Sequence, residues 1–174
     1  MPFTPFHLGA GATFKALSPK YCSFTMFGFT QAIIDTESFY YMVQGLWPIH
    51  RFFHTYLGAT LVALFCIFVG RPVCEAVLRV WNWRLSPSQR QWLHIEPKIS
   101  WPAAAIGAFL GAYSHVLLDS IMHTDARPFA PFSDANGMLH IISVTQLHIV
   151  CVGLGIVGGL VLLVLLLRRK MARG

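Results

Sequence analysis

The segment YSHVLLDSIMHTDARPFAPFS, residues 113–133, sets His115, Asp119 and His123 four residues apart in an apolar stretch. On a helix that interval stacks side chains on successive turns of one face. Imidazole nitrogens and carboxylate oxygens are ligands for Zn²⁺, Mn²⁺ or Fe²⁺. A second pair with the same interval, His50 and His54, lies in HRFFHT; Asp35 sits in IIDTE at the end of a hydrophobic run, and His7 lies near the N-terminus. Ionisable groups inside a membrane are costly without partners and mark function by default. This set exceeds what one ion needs, so the chemistry it supports is hydrolysis at one or two divalent transition metals, Zn²⁺ first among them.

The elements that carry these residues read as membrane helices. The chain has 174 residues, enough for one domain, of which 55% are hydrophobic and 11% charged. A soluble domain carries about 25% charged residues, and the mean hydropathy here is +0.58. A polytopic, all-α membrane bundle of four to five transmembrane or re-entrant helices is therefore expected. The formal charge of +6 reads as a topology signal. No basic patch interleaved with aromatics is present, so nucleic acid is not an expected partner. Cys22, Cys66, Cys74 and Cys151 are scattered without a CxxC pair, which speaks against a thiolate zinc site or redox motif. No removable signal peptide is expected.

Residues 147–167 form the clearest span, followed at once by RRKMARG. The positive-inside rule then puts the C-terminus in the cytoplasm. Working backwards, residues 123–146 form an outer loop and 101–122 the preceding span. Residues 71–100 form a cytoplasmic loop holding Arg71, Arg79, Arg84, Arg90 and Lys98. Within it, VCEAVLRVWNW has the character of an interfacial amphipathic helix. Residues 54–70 and 23–44 supply two further spans, and 6–17 a short or re-entrant helix ended by Ser18-Pro19-Lys20. Gly107/Gly111 and Gly155/Gly159 form GxxxG pairs that would let the last two spans approach closely.

Helical rise converts this topology into depth. From the cytoplasmic ends, His7 and Asp35 lie roughly 20 Å up, His115 roughly 21 Å and His54 roughly 25 Å. Asp119, His148 and His50 fall at roughly 27 to 32 Å. Orientation came from Lys and Arg alone, yet His and Asp converge on one layer near the outer edge of the hydrocarbon.

TPFHLGAG, IIDTE, HRFFHT and HVLLDSIMHTDARPFAPFS, in that order, resemble the YdjM-like membrane-bound metal-dependent hydrolases of bacterial inner membranes. The resemblance implies an inner-membrane, multi-pass enzyme with His7, Asp35, His50, His54, His115 and Asp119 as metal ligands. Where that family has a Pro-Asp-x-Asp motif this chain reads Ile34-Asp35-Thr36-Glu37. Glu37 also falls on a different helix face from Asp35 if the helix is unbroken.

His123 extends the ligand set. Asp119 or Glu37 is the carboxylate expected to take a proton. Arg51 and Arg127 flank the clusters and suit phosphate oxygens. Against these stand plainer roles: Asp35 paired with Arg51, Arg127 paired with Asp125 or Asp134, and His140 and His148 as interface residues. The expected substrate is a lipid-linked ester or phosphoester entering from the membrane. The alternative is a small transporter or channel for metal ions or protons, although the inner half offers few polar stations beyond Ser23, Thr25 and Thr60. A structural subunit clamped by metal is a third possibility.

Overall fold

The computed structural model describes residues 5–171. Among the described residues it is all-helical, with 73% helix and no strand, consistent with a helical bundle. A 3-10 turn (Pro5–His7) leads into α1 (Leu8–Leu17), and α2 (Phe24–Val43) follows. A second 3-10 turn (Phe52–His54) precedes α3 (Tyr56–Phe65), a π-helical segment (Cys66–Gly70) and α4 (Arg71–Arg84). The rest is α5 (Pro87–Leu93), α6 (Trp101–Met122) and α7 (Val144–Met171).

Among the described residues three helical stretches are long and apolar enough to cross a membrane: Tyr56–Arg84, Trp101–Met122 and Val144–Arg168. α2 has 20 residues, but Gln31, Asp35 and Glu37 lower its hydropathy, and the first two are turned into the bundle. α1, with 10 residues, spans about 15 Å, half of a hydrocarbon core.

The first stretch corrects the expected loop at 71–100. Its first part continues the preceding helix without a break. Pro72 would ordinarily clash with the carbonyl four residues back. The π-helical segment widens the turn ahead of it, and the Arg71 amide reaches back to the Cys66 carbonyl. Proline then sits in the first turn of α4, where its missing donor costs little.

Side-chain caps start the helices that carry the site. Ser23 caps α2 by accepting the Met26 amide, Thr55 caps α3 by accepting that of Gly58, and Ser100 caps α6 by accepting that of Ala103. Each satisfies one of the donors a helix start leaves free.

α2 and α6 run parallel. Ser23 meets Ala103 at one end, and Gln31 donates to the Gly111 carbonyl further along. α3 runs antiparallel to α6, with Thr60 against Tyr113 near one end and Arg71 against Ile99 at the other. Met26, Ile34, Ala59, Val62, Ala104, Ala108, Ala112 and Val116 fill the space between them.

The small residues act between other helices than the sequence pattern implied. Gly107 and Gly111 face α2: a Cβ on Gly111 would lie 2.5 Å from the Phe27 carbonyl oxygen, and one on Gly107 would collide with the Ser23 carbonyl. Gly155 and Gly158 face α1, against Gly9 and Ala12, while a Cβ on Gly159 would meet nothing. The close pairs are therefore α2 with α6 and α1 with α7, not α6 with α7. A GxxxG pattern marks a face that can approach closely; the partner is chosen by topology.

Candidate metal centre

The parallel packing of α2 on α6 brings the C-terminal halves of both helices to one end of the bundle. There α2 supplies Asp35 and α6 supplies His115 and Asp119, all buried. The turn before α3 inserts His54 between them. His115 Nε2 lies 3.3 Å from Asp35 Oδ1 and 3.0 Å from Asp119 Oδ2. His54 Nε2 lies 3.4 Å from that same Asp119 oxygen and 4.0 Å from Asp35 Oδ1. One ligand atom from each of these four residues fits within a 4.8 Å set.

The other oxygen of Asp119 faces elsewhere. Asp119 Oδ1 lies 3.7 Å from His7 Nε2 and 3.8 Å from His123 Nε2. His123 belongs to a second set of ligand atoms within 4.8 Å, with His50 and Asp125. The His50 and His123 rings stack at 4.0 Å, and His50 meets His54 edge-on at 4.8 Å. Asp119 thus stands between two groups of imidazoles, one oxygen turned to each.

The outer ring nitrogens are held in the manner of metal-ligating histidines, whose second nitrogen is fixed by a carboxylate or another partner. His50 Nδ1 is 2.8 Å from Asp125 Oδ1, and Asp125 Oδ2 accepts the amides of Ile49 and His50. His54 Nδ1 is 3.4 Å from Glu37 Oε2, which also accepts the Phe53 amide at 2.8 Å. His7 and His115 face each other through Nδ1 at 3.4 Å. On His7, His50 and His115 this leaves Nε2 as the nitrogen able to ligate, while His54 Nε2 also lies 3.2 Å from the Ser38 hydroxyl.

A divalent cation fits this donor set on two observations. The Nε2 atoms of His7 and His115 are buried and make no aligned hydrogen bond; buried polar atoms left so are rare. Four carboxylates, Asp35, Glu37, Asp119 and Asp125, surround the rings, and no Lys or Arg forms an ion pair with any of them among the described residues. Buried anions require compensating positive charge.

Outside the membrane-spanning segments the electrostatics suit ligation. Burial, the largest influence, and the neighbouring His50 hold His123 down to about 4 against the opposing pull of Asp119. Burial and then His54 likewise lower His50, opposed by Asp119 and Asp125. Both rings are therefore neutral at pH 7, with a lone pair available. Burial pushes Asp125 up, but the amide and ring of His50 outweigh it and hold the carboxyl below its ordinary value.

Every imidazole and aspartate expected to ligate lies in this cluster: His7, Asp35, His50, His54, His115, Asp119 and His123. Their local geometry differs from the expectation at HRFFHT. His50 and His54 are not one face of an α-helix; His50 lies in a loop, and Phe52–His54 is a 3-10 turn. Asp35 does not pair with Arg51. The Arg51 guanidinium lies over the Tyr41 ring at 3.7 Å, and its Nε donates to the Pro48 carbonyl. Glu37 stands behind His54, on the nitrogen opposite the one facing Asp119, which makes it a positioning residue for that ring. Arg127 pairs with Asp134 at 2.9 Å. Asp125 is a candidate site residue that the sequence reading leaves out. It was considered only as a partner for Arg127, though its place two residues after His123 was the available signal.

The family described as Domain of unknown function (DUF4184) matches residues 1–173. The chain belongs to that family. The match takes in every ligand candidate and all the helices that hold them. No curated protein and no solved structure matches the chain.

Proposed function

We propose that this DUF4184 protein is a membrane-bound metal-dependent hydrolase acting on a lipid-linked ester or phosphoester. The observation that carries the reading is Asp119. One buried carboxylate offers an oxygen to each of two imidazole sets. A divalent metal held there supplies acidity to a water and polarises the electrophilic oxygen. Asp35, His54 and His115 with one Asp119 oxygen would hold the first ion; His7, His50 and His123 with the other would hold the second.

The chain's own residues set the rest. Glu37 and Asp125 orient His54 and His50. The proton that leaves the attacking water needs a carboxylate oxygen not taken up by ligation. Water oxygen forms the new bond to phosphorus or the acyl carbon; the ester oxygen departs with a proton as the alcohol. The resemblance to YdjM-like hydrolases supports the same activity class. A transport path would need polar stations through the inner half, where Thr30 and Gln31 are buried polar side chains of α2 in a mainly apolar core.

The reading is tested by assaying purified protein against lipid esters and phosphoesters before and after chelation. Turnover should vanish with chelator and return with Zn²⁺ or Mn²⁺. Turnover that is insensitive to a chelator that strips the metal would contradict it.

The proposed location is a bacterial inner membrane, with the C-terminus cytoplasmic and the site near the outer face. Cysteine placed near Asp134 should react with an impermeant thiol reagent from outside. Reaction only from the cytoplasmic side would reverse this orientation.

A further inference from the structure

Beside the second ligand set lies a cavity of about 520 Å³ lined by segments 48–55 and 125–131, with His50, Asp125, Arg51 and Arg127 on its wall. We propose that this cavity binds the phosphate of a hydrocarbon-linked phosphoester, with Arg51 as its fixed anion ligand. The inference rests on the hydrolase reading of the adjoining centre and narrows its substrate class.

Arg51 is built to receive an anion. Its Nε–H is spent on the Pro48 carbonyl at 2.8 Å and its face on Tyr41. A guanidinium has five N–H donors, so the two terminal nitrogens keep four. No protein partner takes them among the described residues. Ring stacking and one hydrogen bond fix the plane of the fork, which suits bidentate binding of phosphate oxygens. Arg127 lies across the cavity, and its pair with Asp134 is exposed on both sides. Exposed pairs are worth little, so Arg127 is free to exchange that partner for a ligand. A phosphate monoester carries about −1.5 to −2 charge at pH 7, which matches two guanidiniums, and its oxygens can face both the arginines and the metal centre.

The hydrocarbon part follows from the neighbouring surface. An apolar groove of about 320 Å³ adjoins the cavity through the shared Ala130; Tyr56, Leu57, Tyr113, Phe129 and Phe132 line it. It lies along α3 and α6, two of the membrane-crossing stretches. Phe132 is 85% exposed, as befits a side chain in contact with lipid. A phosphate in the cavity therefore has a chain-wide path for its tail directly into the bilayer.

The test is binding of dodecylphosphonate, which cannot be hydrolysed, to the full-length metal-loaded protein in non-ionic detergent, followed by phosphorus NMR. Inorganic phosphate and dodecanol serve as the other arms. Wild type should bind the phosphonate at least about 10-fold more tightly than either. Arg51→Lys should keep its metal and lose about 10-fold in affinity, and Arg51→Gln should lose more. Arg127→Gln, at an exposed position, provides a variant with little risk to folding and should lose about 3-fold or more. Undiminished binding in Arg51→Gln and Arg127→Gln would overturn the proposal. Inorganic phosphate binding as tightly as the phosphonate would overturn its hydrocarbon part. Arginine-dependent phosphonate binding by a protein that hydrolyses no ester would support the cavity and remove the hydrolase reading. Hydrolysis of neutral esters untouched by Arg51→Gln would do the reverse.

Discussion

Asp119→Ala is expected to abolish binding at both metal positions at once, because its two oxygens face the two imidazole sets separately. Its closest contacts are His115 Nε2 at 3.0 Å and His54 Nε2 at 3.4 Å on one side, and His7 and His123 on the other. Removing one member of a buried charged cluster costs about 3–5 kcal/mol, a fall in melting temperature on the order of 10 °C for a chain of this size. Part of that fall reflects lost metal. Added Zn²⁺ at about 100 times its Kd stabilises the native state by about 2.7 kcal/mol, so it should raise the melting temperature of wild type and leave the variant unchanged. Asp125→Ala should behave differently, weakening only the set that contains His50. Thermal unfolding followed with and without Zn²⁺ checks both; an equal metal response in Asp119→Ala and wild type would sink the shared-ligand assignment.

Gly111→Val is expected to empty the site without touching a ligand. A Cβ there would lie 2.5 Å from the Phe27 carbonyl oxygen and 3.1 Å from the Phe27 Cα. Both are backbone atoms, so no side chain can swing aside and α2 must move away from α6. That movement carries Asp35 off His115, now 3.3 Å away. The expected result is a destabilisation of about 3 kcal/mol or more from overpacking, with metal content falling alongside. Gly153→Ala is the matched control, because a Cβ there meets nothing within 4 Å. It should retain wild-type metal and stability. Equal metal content in Gly111→Val and Gly153→Ala would show that the α2–α6 approach does not position the centre.

These two substitutions mark what a reader of the sequence can and cannot reach. Helical spacing put His115 and Asp119 side by side, because both lie on one unbroken helix whose period is fixed. Depth, derived from Lys and Arg, brought Asp35, His54 and His7 to the same layer for a sound reason: membrane helices are nearly straight rods of known rise. His50 and His54 reached the right place by the wrong geometry. Their interval matches a helix turn, but Thr55 starts α3 one residue after His54, and cap chemistry outweighs spacing. Asp125 lies in a loop that has no period, so its place two residues after His123 is the one local sign of a carboxylate held by His50 rather than one facing water. The glycine pairs announced close packing without naming the partner, since that depends on which helices become neighbours. The basic residues from Arg71 on read as a loop, yet a π-helical turn absorbs Pro72 and the helix runs on to Arg84.

The buried cluster around Asp119 is proposed to be a metal centre. Its most direct test is elemental analysis of the protein purified without chelator, then saturated with Zn²⁺ and desalted. A stoichiometric divalent transition metal is expected in the purified protein and two ions per chain after saturation, both lost in Asp119→Ala. A folded wild-type protein that holds no metal before or after saturation would contradict it.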